Sequence, residues 1–135
     1  MPLLREYRIF ISHAWQYHSD YDRLIRLLNE APNFRYRNYS VPRHDPLHVR
    51  SKEELKEELR QQIRPVQVVL ILSGMYVDYS EWIQFEMDYA HQLEKPIIGI
   101  KPWGSERIPR PVQEKVVEIV GWNTRSIVDA IRRYA

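Results

Sequence analysis

The chain has 135 residues, 44% of them hydrophobic and 28% charged, with a formal net charge of +2. That length suits one domain with a sizeable core, residues 1–135, and no apolar run approaches the roughly 20 residues that span a bilayer. The absence of cysteine excludes disulfides, thiol catalysis and thiolate metal sites, and the opening MPLLREYRIF lacks the basic start and long apolar core of a secretory signal, so a cytoplasmic location is expected.

In chain order, Tyr7–Ile11 (YRIFI) reads as a first strand. A helix over about Ser19–Asn29 follows, with Tyr21, Leu24, Ile25 and Leu28 at helical spacing and Pro32 just beyond its end. Phe34–Tyr39 (FRYRNY) alternates aromatics with arginines, a pattern for an edge strand whose charges discourage pairing with other chains. After the loop VPRHDPLHVR, Ser51 and Glu54 form a capping box, Leu55, Leu59 and Ile63 a narrow stripe, and Pro65 a stop. Val66–Leu72 (VQVVLIL) is the most apolar run and fits a central strand covered on both faces.

A helix capped by Asp78 or Ser80 comes next, then a strand at Pro96–Ile100 and a short helix near Val112–Val117. A fifth strand, EIVGW, leads to a last helix through Tyr134, capped by Asn123 or Thr124. Five βα units with short connections imply an α/β fold: one five-stranded parallel sheet with helices on both faces and right-handed crossovers. The expected order is flavodoxin-like, 2-1-3-4-5.

One helix holds an anomaly. Across SEWIQFEMDYAHQLEKP, about 100° per residue puts Trp82, Phe85, Tyr89, Ala90 and Leu93 on one side. Glu86 projects among them, and a buried unpaired charge costs several kcal/mol. Such a carboxylate has either a structural partner, a core hydroxyl or arginine, or a chemical task.

An open parallel sheet binds its ligands at the carboxyl ends of its strands, and the segments after strands one and three exclude several ligand classes. SHAWQYHSD after strand one contains no glycine, whereas a dinucleotide fingerprint or a P-loop needs glycines for close approach to phosphate. A flavodoxin phosphate loop is missing there for the same reason. Ser73-Gly74 stands where a phosphate-accepting receiver would carry an aspartate. The edge instead collects Ser12, His13 and Trp15 after strand one, Ser73 and Tyr76 after strand three, and the loop Ser40–Arg50 after strand two. His44 and His48 in HDPLH have a ligand-like spacing, but it serves a metal on a helix and Pro46 opposes one, so no metal site is assigned. Arg35 and Arg37 read as solvated edge charges, and no nucleic-acid or membrane contact is expected.

FISHAWQYHSDY, SEWIQFE and GWNTRSIVDAIRR together resemble the TIR-like domain of the Thoeris anti-phage defence type, over nearly the whole chain. Ser80, Trp82 and Glu86 match the segment in which TIR domains carry their catalytic glutamate. The resemblance implies an enzyme that splits the nicotinamide–ribose bond of NAD and makes a cyclic or conjugated ADP-ribose signal for a separate effector. NAD would be its substrate, with no further cofactor and no metal, and self-association on activation is a family habit. Glu86 is then the catalytic residue, with Ser12, His13 and Tyr76 lining the pocket by their positions after strands one and three. Trp82 serves either as a stacking platform or as core. Two rivals stay open: a non-catalytic interaction or nucleotide-binding module, and a nucleoside deoxyribosyltransferase-like enzyme, which also uses a carboxylate on an α/β sheet.

Overall fold

The computed structural model describes residues 5–12, 18–39, 52–72, 76–101 and 110–135. Strand and helix alternate along the chain as expected. The elements are β1 (Glu6–Ser12), α1 (His18–Asn29), β2 (Arg35–Asn38), α2 (Lys52–Ile63), β3 (Val68–Leu72), α3 (Tyr76–Gln92), β4 (Ile97–Ile100), α4 (Arg110–Lys115), β5 (Glu118–Val120) and α5 (Thr124–Tyr134). All four strand pairings are parallel, and the order is β2-β1-β3-β4-β5, the order expected from the sequence.

Composition explains each strand's place. Every residue of β3 and of β4 is buried, as the continuous apolar runs VVLIL and IIGI require of strands covered on both faces. β2, with Arg35 and Arg37 exposed, lies at an edge. Burial of each large aliphatic side chain contributes roughly 1.5–3 kcal/mol, so the sheet interior is the main source of cohesion.

Hydrogen bonds and ion pairs show which helices share a face. Tyr36 Oη donates to Asn29 Oδ1 at the end of α1 at 2.7 Å, Thr124 Oγ1 of α5 donates to the Leu27 carbonyl at 2.7 Å, and Arg133 of α5 meets Glu118 of β5 at 2.6 Å. So α1 and α5 cover one face. On the other, Arg64 beyond α2 donates to Tyr89 Oη of α3 at 2.8 Å, and Lys115 of α4 lies 3.9 Å from Asp88 of α3. Gly99 of β4 lets α4 come close, since a Cβ there would stand 3.2 Å from Val116 Cγ1.

Several boundaries differ from the sequence reading: β2, β4 and β5 are each shorter than expected, and four other elements shift. β1 extends through Ser12, which still pairs with Ile71 of β3, so Ser12 belongs to the sheet and not to the loop after it. β3 begins at Val68: the Gln67 amide still donates to the Arg8 carbonyl at 2.8 Å, but the Arg8 amide is taken by the Gln67 side-chain Oε1 at 3.0 Å rather than by a strand carbonyl. α3 starts at Tyr76, immediately after the short 73–75 connection, so Asp78 and Ser80 lie inside the helix and neither is its cap. α4 spans Arg110–Lys115 rather than Val112–Val117; Pro111 suits a first turn, where its missing N–H costs nothing, and Val117 already donates to the Ile97 carbonyl at 2.8 Å. The cap of α5 is Asn123, whose side chain accepts from the Ser126 amide at 2.8 Å. Ser51, the capping residue read for α2, and the HDPLH segment lie outside the described residues.

Candidate active site

Strand alternation fixes where β1 points each side chain. Arg8 donates through Nε to the Pro65 carbonyl beyond α2, so Arg8, Phe10 and Ser12 face the α2, α3 and α4 layer. In-register pairing carries that face across the sheet, with Ser12 beside Ile71 and Ile71 beside Gly99, under α4. Ser12 is the last residue of β1, at the carboxyl edge, yet it is only 1% exposed and its Oγ makes no hydrogen bond. A buried hydroxyl left in that state costs about 1–3 kcal/mol.

On the helix above, Ile83, Glu86, Met87 and Ala90 are buried. They follow i, i+3, i+4, i+7 spacing and form the sheet-facing stripe. The stripe read from sequence is therefore turned by about a quarter of the helix circumference. Phe85 and Tyr89, stacked at 6.3 Å, flank it toward α2, where Lys56 and Arg60 lie 5.7 and 5.2 Å from the Phe85 ring. Leu93 lies beyond the helix and is 37% exposed. Glu86 remains in the core-facing set and is 0% exposed. It has polar interactions within the fold, while its Oε2 is buried without a hydrogen bond.

Among the described residues, Ser12 and Glu86 are the two buried polar side chains, and both lie on the same face of the sheet. Their neighbours there, Phe10, Val69, Ile71, Ile83 and Met87, are apolar. Ser12 stands at the carboxyl end of β1, where an open parallel sheet binds its ligands, and Glu86 lies in the same buried layer; a hydroxyl there can grip a ligand hydroxyl, and a carboxyl can stabilise a developing positive charge.

The remaining expected site residues are placed only in part. Trp82 is half-buried and packs against the core, in keeping with a structural contribution. Tyr76 opens α3, on the carboxyl side of β3. His13, Trp15, Ser73 and the loop 40–50 lie outside the described residues. No group of His, Asp and Glu among the described residues could hold a metal ion, and no helix among them is long and apolar enough to cross a membrane. Sequence reasoning missed that Ser12 faces the buried layer. The signal was available in the alternation of Arg8, Phe10 and Ser12 along β1.

The presence of a buried hydroxyl and a buried carboxyl on one sheet face can be set beside known proteins. The model of the TIR-like domain of the Thoeris protein ThsB matches residues 10–107, well over half of the chain. This chain belongs to that family. The matched span runs from Phe10 through β4 and so contains both Ser12 and Glu86. No curated protein matches the chain in sequence. Among solved structures, a CMP N-glycosidase from Clostridium botulinum is similar in fold, with a TM-score of 0.55 and 18% identity, covering 94% of this TIR-like chain and 99% of the other.

Proposed function

We propose that this TIR-like domain breaks the N-glycosidic bond between nicotinamide and ribose in NAD, with Glu86 as the catalytic residue. The observation that carries the reading is the fully buried Glu86 on the sheet-facing stripe of α3, on the same sheet face as Ser12. Nicotinamide in NAD is already cationic and leaves as a neutral molecule, taking the electron pair of the C1′–N bond. No general acid is needed. What the step needs is stabilisation of the ribosyl oxocarbenium ion left behind, and a single carboxylate in a low-dielectric layer supplies it. Water, a ribose hydroxyl, an adenine nitrogen or an amino acid then adds to C1′, which fixes the product. Ser12, His13 and Tyr76 would line the pocket, and Trp82 would border it. Membership of the Thoeris family supports a cytoplasmic role in defence, in which an ADP-ribose-derived product acts on a separate effector and self-association accompanies activation.

A second reading has one specific support, the fold likeness to a nucleotide N-glycosidase. Under it the substrate is a nucleoside monophosphate whose base leaves only after protonation, so Glu86 would have to share the site with an acid. The NAD reading asks less of the buried groups in view.

The test is turnover of NAD by wild-type protein and Glu86→Gln at several protein concentrations, following nicotinamide and ADP-ribose products by mass spectrometry. Wild type should release nicotinamide, and the variant should lose about 10²–10³-fold, the scale for removing one preorganised charge-stabilising group. Equal rates would remove Glu86 from the chemistry. Release of cytosine from CMP without nicotinamide from NAD would favour the second reading. Silence on both, also in lysate from infected cells, would leave a non-catalytic module.

A further inference from the structure

We infer that Ser12 is the specificity-determining residue that reads a hydroxyl of the ribose on which Glu86 acts, and so selects ribonucleotides over deoxyribonucleotides. The inference rests on the glycosidic-cleavage reading above and adds the sugar class and the residue that chooses it.

The Oγ of Ser12 is buried at the carboxyl end of β1, makes no hydrogen bond, and faces the layer that contains Glu86. Buried hydroxyls are nearly always partnered, and one that is not points to a partner brought by a ligand. The ligand group must match the surroundings. No arginine or lysine among the described residues is buried, so none of them shares the buried layer of Ser12 and Glu86 to neutralise a phosphate there, and Glu86 would repel one. An apolar ring would leave the Ser12 hydroxyl as unsatisfied as before. A neutral hydroxyl suits both residues: it can donate to a carboxylate and can donate to or accept from a serine. A ribose offers two such hydroxyls on adjacent carbons, next to the C1′ whose bond is broken. A sugar lacking the hydroxyl that Ser12 reads leaves its Oγ buried and unpaired in the complex, the situation in which a built polar site rejects an analogue strongly.

The test compares NAD with analogues lacking the 2′- or the 3′-hydroxyl on the nicotinamide ribose, using wild type, Ser12→Ala and Ser12→Cys. Removing a hydroxyl changes the intrinsic reactivity of the glycosidic bond, so the quantity to follow is the NAD-to-analogue ratio of kcat/KM in each protein. For the 2′-deoxy analogue, wild type should show a ratio roughly 10- to 100-fold larger than either variant shows, while the 3′-deoxy ratio should be the same in all three. The variants should melt at or above the wild-type temperature, since neither leaves a buried hydroxyl unpaired. If the 2′-deoxy ratios agree in all three proteins while NAD is still cleaved, the inference is overturned and the NAD reading stands. If wild type does not cleave NAD, that reading fails, and the same comparison runs on CMP and 2′-deoxy-CMP. There a ratio that collapses in Ser12→Ala supports ribose reading, and an unchanged ratio overturns it. No turnover of any of these substrates overturns both.

Discussion

The two faces of the sheet solve the same packing problem differently. Under α1 and α5 the layer is wholly apolar among the described residues: Ile9, Ile11, Leu24, Leu28, Leu70, Ile98, Ile127 and Ile131 are buried, and the polar groups sit on the rim, paired. Tyr36 bonds Asn29, Thr124 bonds the Leu27 carbonyl, Arg133 meets Glu118, and Arg132 donates to the Asn33 carbonyl at 3.1 Å. Under α2, α3 and α4 the layer is as well buried, yet it contains Ser12 and Glu86. A chain selected for stability alone would have made the second face like the first. Local rules tend to be broken where function requires it, and among the described residues the breach is confined to one face.

Truncation on the uniform face should give the largest loss of stability and should leave the chemistry alone. Leu28→Ala removes a fully buried side chain of α1 and should cost about 2–5 kcal/mol, read as a lower midpoint in urea. Activity per folded molecule should hold. Glu86→Gln should do the reverse, keeping the midpoint near wild type and losing turnover. If Leu28→Ala lost activity per folded molecule, with folding intact, the division of labour between the faces would be wrong.

A smaller effect lies at the end of α3. Glu94 has φ of 59°, and the Glu94 and Lys95 amides donate to the His91 and Ala90 carbonyls at 3.0 and 2.9 Å. This is a Schellman ending with a left-handed residue at the position where glycine is favoured. Glu94→Gly should therefore stabilise the protein by about 0.5–1 kcal/mol, the relief of left-handed strain exceeding glycine's greater freedom when unfolded. A lower melting temperature in Glu94→Gly would show that the Glu94 side chain matters more than its backbone.

The same contrast explains what could be read from sequence. Strand order and the edge position of β2 were legible because each depends on local composition: continuous apolar β3 and β4, charged β2. Glu86 was legible as an anomaly for the same reason. Its setting was not. Helical period counting treats Phe85 and Tyr89 as sheet-facing because they are large and apolar, whereas the fold turns them toward Lys56, Arg60 and Arg64 of the α2 side. Aromatic faces satisfied by cations and a phenol hydroxyl satisfied by an arginine suit a helix flank as well as a core, and periodicity does not separate the two. Ser12 reads as loop in the sequence because the apolar run ends at Ile11, while pairing with β3 runs one residue further.

An effect of similar size tests whether the rim of the uniform face is well matched. Burial raises the Tyr36 phenol above its usual value of about 10, and the charge on nearby Tyr21 at high pH adds to it. In the unfolded chain the phenol ionises at its ordinary value. The folded chain thus holds the proton longer, and the stabilisation is fully present below about pH 10 and is lost as pH rises through the higher folded value. Tyr36→Phe removes both the titration and the 2.7 Å bond to Asn29, so it should cost about 0.5–1.5 kcal/mol at neutral pH. Its stability gap from wild type should then shrink as pH climbs past 10. Urea midpoints of both proteins between pH 8 and roughly 11 decide the matter. A gap that stays flat would mean that Tyr36 ionises as freely in the fold as outside it, and that this rim is less closed than the face it borders.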